Sequence, residues 1–256
     1  MKKLFLFDVD GTLVDTITHK VPQSTINSIR KLQEKGHIVG ISTGRSIDSL
    51  KEGNFHKMIP WDIFLCNNGQ AIYDCNLKQI HLACIPEEAV HAAIQIAHES
   101  GSPMLLIGEK HILTKEANDY VFESHAFFHL GIPPVEQYDG FPVVMMIAYG
   151  PQNHDYHEYA QIPGIKPIPG LSTYADVILD GYSKYKGIEI VLKHLQLNSY
   201  IAFGDSMNDY EMIKHATLGI AMGNGHNHLK NIALYTTKSV SEHGIEYALK
   251  HFGFIE

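Results

Sequence analysis

A chain of 256 residues, 45% of them hydrophobic, carries enough apolar material for one large domain or for a core with an inserted second one, and it is not a disordered chain. Lys+Arg 20 against Asp+Glu 28 gives a net charge of -8, and no polybasic block interrupts that balance. The electrostatics therefore argue against nucleic acid and against an anionic membrane surface as partners.

The first predicted element is the apolar run "KLFLF". It begins like a signal peptide, but it stops at Asp8 and no small-residue cleavage site follows, so it reads as a strand. Asp8 and Asp10 come directly after it, in "DVDGTLVD". Residues at i and i+2 of extended chain share a face, so two carboxylates would project together from the strand end. At about 4 Å two such charges repel by roughly 4 kcal/mol at an effective dielectric near 20, which demands a compensating cation.

A helix over Ser24–Lys35, a strand at "HIVGIST", a helix after Arg45 and a strand at "IFLCNNG" follow. Strands alternating with helices imply a parallel sheet. In "STGR" the hydroxyl of Thr43 and the N–H groups of Thr43, Gly44 and Arg45, at a helix entrance, are candidates for holding phosphate oxygens. Trp61 reads as packing. Cys66, Cys75 and Cys84 form no CxxC pair, so neither a disulfide framework nor a thiolate zinc site is indicated and a reducing cytoplasm fits.

From residue 84 to 180 the texture changes. A helix at Glu87–Glu99, a hairpin in "PMLLIGEKHILT", a helix through Tyr120, the strand "PVVMMIAY", a short helix near Asp155 and strands in "IKPIPGLSTYADVIL" suggest an α+β insert with an antiparallel sheet, hinged at Pro86 and "DGYSK". The α/β pattern then resumes over 181–256, with a helix in "KGIEIVLKHL", a strand in "YIAFGD", a helix in "DYEMIKHA" and a strand in "LGIAMG". The chain thus reads as a discontinuous core, 1–83 and 181–256, around an insert at 84–180. No run approaches the ~18 apolar residues of a membrane span. The histidines are scattered, and "GHNH" around His226 and His228 reads as a surface loop.

Ligand-contacting groups of open α/β sheets collect beyond the carboxyl ends of the strands, where Asp8, Asp10, Thr43, Asn67, Asn68 and Asp205 all fall. Carboxylates meeting there without histidine or cysteine at ligand spacing suit Mg2+, which takes one or two carboxylates, keeps waters and accepts phosphate oxygens. A lysine at the same rim would balance charge, and Lys184 and Lys186 are the candidates.

"DVDGTLVD", "STGR", "KG" opening a helix and "GDSMND", in that order, resemble the haloacid dehalogenase (HAD) superfamily, and more closely its Cof-type phosphatases with a C2-type (C2B) cap. "CNNGQAIYD" and the tail "AMGNGHNHLKNIALYTTKSVSEHGIEYAL" are similar to that group's corresponding segments, whereas the insert matches only in length and element order. The resemblance implies a Rossmann-like core and magnesium-dependent hydrolysis of a small phosphate monoester, such as a sugar phosphate, through an aspartyl-phosphate. It implies Asp8 as nucleophile and metal ligand, and Asp10 as general acid and base whose carbonyl also ligates the metal. Thr43 would bind the phosphoryl group. Lys186, chosen over Lys184 because Gly187 follows it, would neutralise charge.

Asp205 would ligate the metal, Asp209 would do so through water or orient Asp205, and Asn208 would touch phosphate or close the site. Asp15 and Asp176 are left as surface or cap charges. The expected enzyme is cytoplasmic, a monomer or small homo-oligomer. A phosphomutase of the phosphomannomutase type and a non-catalytic binding protein of the same fold are the alternatives. "GNGHNH" departs from the family's glycine-asparagine-alanine pattern.

Overall fold

The computed structural model describes residues 2–256. Its strands and helices, in chain order, are β1 (Leu4–Phe7), α1 (Gln23–Glu34), β2 (Ile38–Ser42), α2 (Ile47–Glu52), α3 (Phe55–Met58), β3 (Ile63–Cys66), β4 (Ala71–Asp74) and β5 (Gln79–Leu82). There follow α4 (Glu87–Glu99), β6 (Met104–Gly108), β7 (His111–Leu113), α5 (Asp119–Phe128), β8 (Val143–Tyr149), β9 (Ile165–Pro169) and β10 (Tyr174–Leu179). The chain closes with α6 (Lys184–Leu195), β11 (Tyr200–Gly204), α7 (Tyr210–His215), β12 (Leu218–Ala221), α8 (Asn227–Ile232), β13 (Tyr235–Thr236) and α9 (Gly244–His251). Two compact units result, one ending at His81 and resuming over Ser183–Glu256, the other Leu82–Tyr182.

In the first unit an eight-stranded sheet has the order β13-β12-β11-β1-β2-β3-β4-β5. All pairings from β13 across to β3 are parallel, and β3 with β4 is antiparallel. Parallel strands covered on both faces read as continuous apolar runs, and every residue of β1, β2, β3 and β11 is buried. Leu4 and Leu6 share a core with Ile188 and Val191 of α6, Met212 and Ile213 of α7 and Leu229 of α8. On the other face Phe7 stacks on Phe203, and Phe5 meets the edge of Phe254 just beyond α9.

Register positions the site. Leu4 lies opposite Tyr200 and Phe7 opposite Phe203, while on the other side Phe7 lies opposite Ile41. Strands β1, β2 and β11 therefore end level, and the residues that follow them share one rim of the sheet. The N–H of Asp8 still donates to the carbonyl of Phe203 at 3.1 Å, so the first carboxylate leaves the sheet beside the strand that carries Asp205.

The second unit is a five-stranded antiparallel sheet of order β7-β6-β8-β10-β9. Side chains alternate across it. Met146 and Ala148 join Val90, Ala93 and Ala97 of α4, whereas Met145, Ile147 and Tyr149 join Val121 of α5. The helix expected near Asp155 is absent. Asn153 and Tyr156 have φ of 66° and 55°, which an α-helix cannot accommodate, and only a 3-10 turn at Tyr159–Gln161 forms.

Helix α6 approaches the turn after β3 closely. A Cβ on Gly187 would lie 2.7 Å from the Cα of Gly69, and Gly69 itself has φ of 91°. The atoms that Cβ would strike are backbone atoms of Gly69, which cannot yield cheaply. Gly187→Ala should thus lower stability by about 1–3 kcal/mol through overpacking, although alanine is favoured over glycine in a helix interior by about 1 kcal/mol. Chemical unfolding of the two proteins checks the sign.

Candidate active site

Asp8 is the first residue past β1, and Asp205 and Asp209 sit after β11 in "GDSMND". All three are buried, and carboxylate oxygens of the three lie within 4.8 Å of one another. The Lys184 ammonium, itself fully buried, donates to Asp8 Oδ1 at 2.7 Å and to Asp209 Oδ1 at 2.6 Å. The other oxygen of Asp209 accepts from the N–H groups of Asp205 (2.9 Å) and Ser206 (3.1 Å). Asp209 thereby fixes the backbone of Asp205, whose own Oδ1 accepts from the Thr12 hydroxyl at 3.0 Å.

Glycine is required beside this cluster, because a Cβ on Gly11, at φ of 82°, would strike the Asp205 carboxylate.

Lys186, expected here from the sequence, lies elsewhere. It is exposed and pairs with Glu189 at 3.1 Å, while its N–H is bonded to the Ser183 hydroxyl that caps α6. Two residues along a helix turn through roughly 200°, so only one of the two lysines can face the carboxylates. Gly187 follows Lys186 because of the close approach to Gly69, which says nothing about where the lysine points.

Asp10 stands apart from the three-carboxylate cluster. Arg45 binds it in a fork, Nε to Oδ2 and Nη2 to Oδ1, both at 2.7 Å. Arg45 also donates to Ser49 Oγ at 3.3 Å and lies 5.3 Å from the Phe55 ring centroid. Sequence reasoning credited Arg45 with its backbone N–H alone, and nothing in "STGR" indicates that its guanidinium spans 35 residues to Asp10.

The loop after β2 also differs from expectation. Helix α2 starts at Ile47, with Ser46 as its cap, so Thr43, Gly44 and Arg45 belong to the preceding turn and not to a helix N-terminus. The N–H of Arg45 donates to Thr43 Oγ1 at 3.2 Å, and that of Asn68 to the Thr43 carbonyl at 3.0 Å. Asn208 donates to Asn68 Oδ1 at 3.0 Å and accepts from Ser206 Oγ at 2.6 Å, tying the β3 turn to the β11 loop. Asp15 is no free surface charge: its Oδ1 accepts from the N–H groups of Ile17 and Thr18, which hold its carboxyl below the usual range.

One buried ammonium, bonded to Asp8 and Asp209, sits among three buried carboxylates. Burial, joined by Asp209 and Asp10 and opposed by Lys184, pushes Asp8 up to about 7. Burial, with Asp8 and Asp209, raises Asp205 well above the carboxylate range, against the Thr12 hydrogen bond. For Lys184 burial disfavours the cation, but Asp209 and Asp8 outweigh it and hold the ammonium charged. Both partners of the Asp8–Lys184 pair shift upward, Asp8 chiefly through burial and Lys184 through the two carboxylates that face it. An all-oxygen donor set with surplus negative charge fits a hard divalent cation. The other cluster of metal-binding type among the described residues, His154, Asp155 and Glu158, lies on a less buried turn, where His154 pairs with Glu158 at 2.9 Å.

Residues 5–249 match the model of the haloacid dehalogenase-like hydrolase family, and the chain belongs to that family. It is 31% identical over 263 residues to YkrA of Bacillus subtilis (strain 168), covering 99% of each. Among solved structures it is similar to BT1666, a HAD phosphatase from Bacteroides thetaiotaomicron, with TM-score 0.89, 27% identity and coverage of 100% of this chain and 96% of that one. It is likewise similar to BT4131, a subclass IIB sugar phosphatase, with TM-score 0.88, 29% identity and coverage of 99% and 100%. The protein is thus a hydrolase with a Rossmann-like HAD core and an α+β insertion.

A carboxyl whose pKa is raised by folding stabilises the fold fully below its unfolded value near 3.8 and loses that contribution as pH rises through about 7. In EDTA, Asp8→Asn should therefore unfold at a higher temperature than the wild type at pH 8, by a margin that narrows markedly at pH 5. Thermal unfolding at the two pH values checks this.

Proposed function

We propose that the protein is a cytoplasmic, magnesium-dependent phosphatase that hydrolyses a small phosphate monoester, such as a sugar phosphate, through an aspartyl-phosphate on Asp8. The observation that carries the reading is the convergence of Asp8, Lys184, Asp205 and Asp209 in one buried cluster with more negative than positive charge. Family membership and the similarity to a structure described as a sugar phosphatase support the reaction class. All three cysteines are free, in keeping with a reducing compartment, and no helix among the described residues is long and apolar enough to cross a membrane.

In this mechanism Asp8, Asp205 and, through water or through its hold on Asp205, Asp209 would bind Mg2+, together with the Asp10 carbonyl. The ion would supply Lewis-acid neutralisation of phosphate charge. Lys184 holds one oxygen of Asp8, leaving the other to attack phosphorus. The P–O bond to the leaving alcohol breaks as Asp10 donates a proton to that oxygen. Asp10 then takes a proton from the water that attacks the acyl phosphate, releasing inorganic phosphate and restoring Asp8. Because both Asp10 oxygens are bound by Arg45, at least one must be released before a proton can move. Thr43, with the Gly44 and Arg45 amides, and Asn208 would contact the phosphoryl group.

Asp8→Asn should abolish hydrolysis of p-nitrophenyl phosphate while the protein stays folded by circular dichroism. Substantial residual turnover would rule out Asp8 as nucleophile, and isomerised sugar phosphate in place of inorganic phosphate would indicate a mutase. Lys184→Met should lower kcat by about 10²–10³, the scale of losing a preorganised charge-stabilising donor. Lys186→Met should leave kcat close to the wild-type value, so the pair of steady-state measurements decides which lysine serves the site.

A further inference from the structure

The loop "GNGHNH", which departs from the family pattern, lies against two parts of the cluster. The Asn224 carboxamide donates from Nδ2 to the Gly11 carbonyl at 2.7 Å and accepts at Oδ1 from the N–H of Val240 at 3.1 Å. Gly11 belongs to the nucleophile loop and packs against the Asp205 carboxylate. Two residues on, the N–H of His226 donates to the Asp205 carbonyl at 2.7 Å. Between them, a Cβ on Gly225 would come within 2.9 Å of that same carbonyl oxygen, so the loop can sit there only with glycine at this position.

One short segment therefore grips both strand-end loops that must meet around a shared cation. Asn224 links chain positions 213 residues apart, and Val240, at the start of a 3-10 turn in the tail, anchors its other end. We propose that Asn224 is a positioning residue that sets the spacing between the Asp8 loop and Asp205, and with it the affinity for Mg2+. The inference rests on the metal-dependent reading above. Asn224 is exposed, so shortening its side chain removes no core packing.

Calorimetric titration of Mg2+ into the substrate-free protein tests it, with the unfolding temperature in EDTA measured alongside. Asn224→Ala should weaken the Mg2+ dissociation constant by about tenfold, the low end of what outer-shell partners contribute, with little change in unfolding temperature. Asn224→Ser, whose hydroxyl is too short to reach both Gly11 and Val240, should behave alike and supplies a second variant. An unchanged dissociation constant in either folded variant overturns the role of Asn224 while leaving the metal site standing. A wild-type protein that binds no Mg2+ overturns the metal site and the role of Asn224 together.

Discussion

A single buried ammonium shared between two carboxylates organises the site. Lys184 comes from the start of α6, Asp8 from the end of β1 and Asp209 from the loop after β11, so the two short contacts join three segments far apart in the chain. At separations near 4.8 Å, unscreened carboxylate pairs repel by roughly 3–4 kcal/mol at an effective dielectric near 20. One lysine offsets only part of that for three acids. The residual negative charge makes the apo cluster costly and a divalent cation welcome, and it adds to burial in shifting both Asp8 and Asp205 upward.

The backbone around the cluster is built to allow this crowding. Glycine appears where a side chain would collide: Gly11 against Asp205, Gly225 against the Asp205 backbone, and Gly69 against Gly187 where α6 enters. Side-chain amides then tie the loops together, Asn208 to Asn68 and Asn224 to Gly11. Such ties matter because loops beyond a strand end have no ladder to hold them, and a shared cation tolerates little error in ligand spacing.

Much of the fold was legible from local pattern. The alternation of apolar runs with amphipathic stretches marked the parallel sheet and its interruption, and α4 occupies the span read for it, Glu87–Glu99. The helix read near Asp155 failed because residues of left-handed conformation leave no periodic signal. The position of Lys186, exposed and away from the carboxylates, is illegible for a related reason. Gly187 answers to a steric demand made by Gly69, 118 positions away in the chain, and does not mark which lysine faces the carboxylates.

The sequence by itself determined the acids and their strand-end placement, because short apolar runs followed by carboxylates and glycine state both the local conformation and the chemistry. It also determined the two-part core with its antiparallel insertion, through the change in hydrophobic period. Only the tertiary structure decided which lysine reaches Asp8, that Arg45 grips Asp10 with its side chain, and that Asn224 closes over the nucleophile loop. Those are contacts between distant segments, set by strand register and helix rotation, and neither quantity is written in any local stretch of residues.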